Sequence, residues 1–182
     1  MLIKEYNPTA FVDTLGYSFG LLEHREGEKH YFFDLNKTQN ESDWISLPRK
    51  YDIIIFSEVI EHLYTSPRLV LNFVKTLLKE DGILILQTPN AVTLPYRFLM
   101  LIGRNPFMLL SENVLNHAHF REYTLQEMKK YLVSSHFEIV KGYRKNYFYR
   151  PTMAYRMFLF VCLFLPSSFR QGLTIVAKLS KK

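Results

Sequence analysis

The chain carries YDIIIFSEVIEHL at residues 51–63 and GILILQTPN at residues 82–90, two apolar runs that each end abruptly in polar side chains. Isoleucine-rich runs bounded by turn residues are typical of strands buried on both faces of a parallel sheet. Between them, Ser66 followed by Pro67 marks the start of a helix, because a capping side chain precedes a proline at the first helical position. Apolar residues then recur at helical spacing. The sequence predicts a strand–helix–strand unit whose helix ends at Gly82 in a left-handed cap.

Polar side chains stand where both predicted strands end. Ser57 and Glu58 follow the first strand, and residues 87–90 follow the second. In open α/β sheets, ligands bind beyond the carboxyl ends of the strands. We therefore expect a functional site along this edge of the sheet.

These stretches resemble the fourth and fifth strands of the class I S-adenosylmethionine-dependent methyltransferases. The resemblance continues through LLKEDGILILQTPN at residues 77–90, where LKEDG replaces the usual LKPGG of the family. Further on, HFREYTLQEMKKYLVSSHFEIV at residues 119–140 is similar to the family's sixth-strand region. The family pattern can be laid onto residues 10–180. It implies a Rossmann-like α/β fold with a mostly parallel sheet, helices on both faces and an antiparallel last strand.

The resemblance to the family does not extend to the N-terminal part of the chain. The family has a glycine-rich turn after its first strand, where the backbone approaches the cofactor closely. Gly16, Gly20 and Gly27 follow no predicted strand at the required spacing, and MLIKEYNP at residues 1–8 looks like the end of the helix after that turn. We therefore expect one methyltransferase-like domain over residues 1–182, without the first strand and the glycine-rich motif.

The family's cofactor contacts fall on positions at the predicted strand ends. The resemblance implies that S-adenosylmethionine is the cofactor and that these residues bind it: Asp13, Asp34, Leu35, Ser57 and Glu58. Asp13 would accept hydrogen bonds from the ribose hydroxyls. If the register is set on Tyr17 and Ser18 instead, Gly16 occupies this place and the contact is missing. Asp34 would accept from the adenine amine, with a turn-forming aspartate as the alternative, and Ser57 and Glu58 would meet the methionine part.

Three polar residues are predicted near the mouth of the site as substrate contacts: Asn90, His119 and Tyr123. His119 matches a histidine that the family often places ahead of REYT, and it is the candidate for a catalytic base. Methyl transfer itself needs mainly alignment of the acceptor with an already activated methyl group. A base is required only for acceptors such as hydroxyls.

No metal site is predicted. The string Glu58-x-x-Glu61-His62 resembles the HxxEH metal motif, but it has glutamate where that motif needs its first histidine. His117 and His119 form a second pair, which lacks a matched third ligand.

The charge and cysteine content of the chain indicate which binding partners and which cell compartment to expect. The formal net charge of +6 favours a soluble protein with a somewhat basic surface, and attraction to an anionic membrane surface or an anionic substrate is the alternative. Nucleic-acid binding is not predicted, because the chain has no arginine-rich run or recognisable binding motif. The one cysteine, Cys162, lies in an apolar run and is expected to be a buried, inert thiol, which fits a cytoplasmic protein.

Two apolar segments are additional to the minimal methyltransferase fold. They lie within residues 91–123 and 150–170. Neither contains the roughly 20 uninterrupted apolar residues that a membrane span requires. We interpret them as a cap or insertion over the site, with an anchor lying on the inner face of the membrane as the alternative.

The resemblance implies a methyltransferase that acts on a small-molecule or glycan-like acceptor when upstream residues complete it. Two other functions stay open: a catalytically inactive methyltransferase-like binding module or fragment, and a peripheral membrane protein.

Overall fold

The computed structural model of the chain describes residues 5–16, 28–110, 118–147 and 151–180. The strands are β1 Asp13–Gly16, β2 Lys29–Phe32, β3 Tyr51–Ser57, β4 Leu78–Pro89, β5 Phe137–Lys145 and β6 Gly172–Leu179. The α-helices are α1 Pro67–Leu77, α2 Leu94–Leu101, α3 Leu125–Ser134 and α4 Met153–Phe164. Short 3-10 helices cover Leu35–Gln39, Glu41–Asp43, Ile60–His62 and Ser167–Phe169.

The main sheet has the order β3-β4-β6-β5. β3 and β4 are parallel, whereas β6 is antiparallel to both of its neighbours, as the sequence predicts for the last strand. β1 and β2 form a separate parallel pair. Over the described ranges no strand lies between β1 and β3, and the hydroxyl of Tyr51 donates to Asp13 Oδ2 across this gap at 2.7 Å.

The core lies on one face of the main sheet. α1 and α3 cover it with an apolar stripe that includes Leu71, Phe73 and Met128, all fully buried. Fully burying one such side chain contributes about 1.5–3 kcal/mol. On β3, Phe56 points into this core, but Ile53 and Ile55 on the other face are 55% and 53% exposed. The prediction that this strand is buried on both faces is therefore wrong for the part of the chain that is described.

The turn between α1 and β4 also differs from the prediction. α1 ends at Leu77, and β4 begins at once with Leu78. Gly82 lies inside the strand, where the register between β3 and β4 shifts. A Cβ at this position would stand 2.9 Å from the carbonyl oxygen of Lys79 and 3.0 Å from that of Tyr51. Glycine is needed here for a close backbone approach and not for a left-handed cap.

The start of α3 confirms the predicted capping box. The backbone N–H of Glu127 donates to Thr124 Oγ1 at 3.2 Å, and the backbone N–H of Thr124 donates to Glu127 Oε2 at 2.8 Å. This reciprocal pair satisfies two N–H groups that a helix start would leave open. Ser66 also occupies the cap of α1 as predicted, although its side chain makes no capping bond.

Asn90 fastens the end of β4 to the segment that precedes β6. Its side chain is fully buried, and Nδ2 donates to the carbonyl oxygens of Ser168 at 2.9 Å and Arg170 at 2.7 Å. Its backbone N–H donates to the carbonyl of Gln171 at 2.7 Å. These bonds join two segments that are far apart in sequence at the edge where β4 ends.

We expect Asn90→Ala to lower the free energy of unfolding by about 1–3 kcal/mol, because two half-buried carbonyls lose the donor that the fully buried amide supplies. Urea denaturation followed by circular dichroism measures the change. The control is Gln126→Ala on the exposed side of α3, which should stay within about 0.5 kcal/mol of the parent protein. Equal stability of the parent protein and the Asn90 variant would contradict this role.

Candidate functional site

The end of β3 bends sharply at the predicted site. Ser57 is the last strand residue, and Glu58 adopts a left-handed backbone conformation with φ 54°. A non-glycine residue in this region costs about 1–2 kcal/mol, so the surrounding structure must hold it there. The backbone N–H of Glu58 donates to the carbonyl of Gln87 on β4 at 2.9 Å, and Gln87 Nε2 donates to Glu58 Oε1 at 3.4 Å. The Glu58 carboxylate is thereby held between the ends of two parallel strands, and its burial raises its pKa.

Glu61 lies in the 3-10 helix that follows. Its side chain is 0% exposed, and Oε2 accepts a hydrogen bond from Thr88 Oγ1 at 2.8 Å. Burial raises the pKa of this carboxyl to about 7, because the charged form loses its hydration. The other oxygen, Oε1, has no hydrogen-bond partner among the residues that the structure describes.

The backbone of Glu61 also positions the segment that carries His119. Its carbonyl oxygen accepts from the N–H groups of Phe120 at 2.7 Å and Arg121 at 3.3 Å. His119 Nδ1 lies 2.9 Å from Glu122 Oε1, which also accepts from the hydroxyl of Tyr96 at 3.2 Å. His119 is therefore oriented by a carboxylate that is itself nearly buried.

A second histidine completes the group. The rings of His62 and His119 meet edge to face with their centroids 4.8 Å apart, and His62 Nε2 is 4.0 Å from Glu61 Oε1. Glu61, His62 and His119 each present one ligand atom, and these atoms all lie within 4.8 Å of one another. We call these three residues the Glu-His-His cluster. Such a donor set is able to hold a metal ion.

Two cavities flank the edge. The larger has a volume of about 450 Å³ and is lined by Ala91, Phe107, Met108, Leu110, His119, Phe120, Arg121, Glu122 and Glu127. The smaller, of about 340 Å³, is lined by Phe32, Phe33, Asp34, Lys37, Asp43 and Ile45. Apolar side chains from the segment after α2 thus form part of the wall against which His119 and Glu122 lie.

The predicted cofactor residues are only partly brought together. Asp34 follows β2 and lines the smaller cavity, but it also caps the next 3-10 helix, since its Oδ1 accepts from the N–H of Asn36 at 2.9 Å. Leu35 is buried in the core. Ser57 and Glu58 lie at the carboxyl edge as expected.

The placement of Asp13 is corrected. It begins β1 instead of ending it, and its carboxylate pairs with Tyr51 at the start of β3. Asp13 therefore stands at the amino end of its strand, away from the edge that carries Glu58. Gly16 ends β1, which agrees with the alternative register, while Tyr17 and Ser18 lie outside the described residues.

Two of the three residues predicted to contact the substrate, Asn90 and Tyr123, are buried in the structure. Both side-chain amide hydrogens of Asn90 are used by backbone carbonyls. Tyr123 is 2% exposed within the core, and burial raises the pKa of its hydroxyl to about 12. Only His119 borders the larger cavity. His117 lies outside the described residues.

The sequence prediction missed Glu122, and it did not join Glu61 to His119. The signal for Glu122 was present, because it stands three residues after His119 in the same HFREYT motif. The contact between Glu61 and His119 has no local signal, since it depends on how the segment at 118–123 packs against the end of β3. The predicted burial of Cys162 is confirmed, and burial raises the pKa of its thiol.

Several known structures with the same fold are described as methyltransferases. An S-adenosylmethionine-dependent methyltransferase from Clostridium acetobutylicum is 14% identical, with 99% of this chain and 89% of that chain covered and a TM-score of 0.54. A putative S-adenosylmethionine-dependent methyltransferase from Listeria monocytogenes is 14% identical over 93% of this chain and 80% of that chain, with a TM-score of 0.58. The plantazolicin methyltransferase BpumL is 13% identical over 99% of this chain and 71% of that chain, with a TM-score of 0.56. A search of curated protein sequences gave no match.

The sequence itself matches a family model. The model describes a methyltransferase domain, and it aligns with residues 9–141. Together with the order of the strands, this match confirms the resemblance found at β3 and β4. The chain belongs to the methyltransferase domain family and has the fold of the S-adenosylmethionine-dependent enzymes.

Proposed function

We propose that this domain binds S-adenosylmethionine along the carboxyl edge of its strands and methylates a small-molecule or glycan-like acceptor. One observation supports this above all others. The left-handed Glu58 stands at the ends of two parallel strands, at an edge flanked by two cavities. Open α/β sheets bind ligands at such a position. The structure of BpumL, which has the same fold, contains S-adenosylhomocysteine.

The residues present suit the polar groups of this cofactor. We assign the adenosine end to the smaller cavity, where Asp34 offers a carboxylate to N–H or O–H donors. We assign the methionine end to Ser57 and Glu58, because the Glu58 carboxylate matches an ammonium group. Asp13 takes no part in this assignment.

His119 is the residue that we assign to contact with the acceptor. It lies in the wall of the larger cavity, with Nδ1 directed to Glu122. When bound, S-adenosylmethionine supplies a methyl group already activated by its sulfonium. The main task of the protein is then to align the acceptor and to exclude water, for which Phe107 and Met108 provide apolar wall. A catalytic base at His119 stays a prediction.

The inactive binding module is the second function to consider, because β1 and β2 are separate from the main sheet in the described residues. An unpaired strand edge weakens the scaffold that orients ligands at the ends of the strands. Cofactor binding separates the two functions. An inactive module that has lost the pocket would not bind S-adenosylhomocysteine.

We expect S-adenosylhomocysteine to bind weakly to the chain and Asp34→Asn to weaken this binding further. The substitution keeps a cap for the 3-10 helix but removes the charge. Loss of one hydrogen bond to a charged group costs about 1.5–3 kcal/mol, which corresponds to roughly 10- to 150-fold in affinity. Isothermal titration calorimetry measures the change.

The matched control is Asp52→Asn, whose carboxylate is exposed and paired only with Lys79 on the surface. It should bind as the parent protein does. Unchanged affinity in the Asp34 variant would reduce Asp34 to a capping residue, and no binding by the parent protein would favour the inactive module.

We further propose that the domain works at the cytoplasmic face of an anionic membrane. In α4 only Tyr155 and Cys162 are buried, and most of the other apolar side chains face solvent. Leu101 and Leu109, in and after α2, are 82% and 88% exposed. The 3-10 helix that follows α4 contacts α2, because the guanidinium of Arg97 lies 4.3 Å from the ring centroid of Phe169. Within the described ranges no helix is long and apolar enough to cross a membrane.

The part of the sequence that contains α4 is also basic. Residues 139–182 contain nine lysines and arginines and no aspartate or glutamate. Basic residues next to exposed apolar side chains are typical of segments that lie in the interface of anionic lipid. The apolar wall of the larger cavity comes from the segment after α2, so a cap and a lipid contact are compatible on this side of the domain.

We expect the chain to float with liposomes that contain phosphatidylserine and to remain in the dense fraction with pure phosphatidylcholine. Phe160→Ser combined with Leu163→Ser should reduce flotation strongly, because both side chains are exposed on α4. Val133→Ser, equally exposed on α3, should leave flotation unchanged. Equal flotation of all three proteins, or of both liposome types, would contradict the proposal.

A further inference from the structure

The buried carboxyl group of Glu61 is compensated only in part by the described residues, among which the Glu58 carboxyl also lies within hydrogen-bonding reach of it. Its carboxylate is completely buried, and Thr88 satisfies only one of its two oxygens. A buried carboxylate without full compensation is costly, and proteins resolve this by protonation, by pairing or by binding a cation. The orphaned oxygen points to a group that completes the site.

The neighbours of this oxygen are imidazoles. His62 Nε2 lies 4.0 Å from it, and the ligand atoms of His62, His119 and Glu61 all fall within 4.8 Å of one another. Ligand atoms that each lie about 2.0–2.2 Å from a common ion are separated by roughly 3–4 Å, so small side-chain movements would close the set around one ion. Two imidazoles and a carboxylate suit divalent transition metals better than magnesium or calcium, which prefer oxygen ligands alone.

We propose that the Glu-His-His cluster binds one divalent transition-metal ion. The proposal uses Glu61, His62 and His119 as ligands and gives the buried oxygen of Glu61 its missing partner. Sequence reasoning assigned no metal here, because it compared the residues with a contiguous motif. The folded chain instead supplies the third ligand from a segment that follows β4.

Glu122 supports the proposed metal site by orienting the ring of His119. Its carboxylate holds His119 at Nδ1 and is fixed in turn by the hydroxyl of Tyr96. A carboxylate in this position selects one tautomer of the imidazole and leaves the other ring nitrogen for the metal. Glu58 stands beside the cluster, and its carboxylate interacts electrostatically with Glu61 and His119.

The ion would stand between the two halves of the functional site. Glu58 belongs to the edge that we assign to the methionine end of the cofactor, and His119 lines the larger cavity. Three protein ligands leave coordination positions open. Resting on the proposed methyl transfer, the inference narrows the acceptor to a molecule that offers an oxygen to the metal, such as a hydroxyl whose pKa the ion lowers. His119 would then hold the ion and would not itself act as the base.

The test is metal binding by the full chain without any cofactor. The chain is stripped with a chelator and titrated with MnCl2, followed by calorimetry and by the electron paramagnetic resonance signal of free Mn²⁺. We expect saturable binding of one ion per chain. Glu61→Gln should weaken it at least tenfold, because the substitution removes the charge and keeps the shape. His119→Asn should have an effect of the same size.

His136→Asn serves as the control, since His136 is exposed and asparagine tolerates its left-handed backbone at φ 65°. It should bind Mn²⁺ as the parent protein does. If Glu61→Gln fails to fold, the visible absorption spectrum of Co²⁺ bound to the parent protein reports nitrogen ligation without any substitution. A spectrum of hydrated Co²⁺, or Mn²⁺ binding that both ligand variants retain, would overturn the inference.

The outcome is separable from that of the proposed function. Metal binding by a chain that does not bind S-adenosylhomocysteine would keep the cluster and refute the methyltransferase activity. Binding of S-adenosylhomocysteine by a chain that binds neither Mn²⁺ nor Co²⁺ would support the proposed function and refute the metal site.

Discussion

The burial of Glu61 is the constraint on which the candidate site depends. Its side chain bonds to Thr88 on β4, and its backbone carbonyl holds the N–H groups of Phe120 and Arg121. One residue therefore connects the end of β3, the neighbouring strand and the segment that carries His119. These contacts lie in a low-dielectric region, where a polar group that loses its partner is costly. The arrangement of His119 and Glu122 follows from this connection.

The left-handed backbone of Glu58 also shapes the site, at the carboxyl end of β3. Its backbone turns the chain out of β3 and into the 3-10 helix that carries Glu61 and His62. The backbone bond to Gln87 offsets part of the cost of this conformation. Strained backbone at the carboxyl end of a strand is a feature that often accompanies ligand binding. The hydrogen bond from Tyr96 to Glu122 then connects the edge to α2, so the apolar segment and the polar cluster belong to one unit.

Many apolar side chains lie outside the core and are exposed to solvent. One face of the main sheet is closed by α1 and α3, while Ile53 and Ile55 on the other face of β3 are about half exposed in the described structure. Exposed apolar side chains also cover α4 and the region around α2. These exposed side chains are the observation behind the proposed membrane contact.

Local patterns in the sequence were sufficient for the starts of α1 and α3, for β3 as a strand and for the family. The capping box at Thr124, the proline after Ser66 and the isoleucine run of β3 act within a few residues, so their consequences are visible without the fold. Gly82, Asp13 and Asn90 show where this reasoning ends. The reason for Gly82 lies in carbonyl oxygens that include one from β3, Asp13 pairs with Tyr51 across the gap, and Asn90 bonds to carbonyls before β6. The same holds for Glu61 and His119, whose proximity arises only when the chain packs, because burial and hydrogen bonding between distant segments are properties of the tertiary structure.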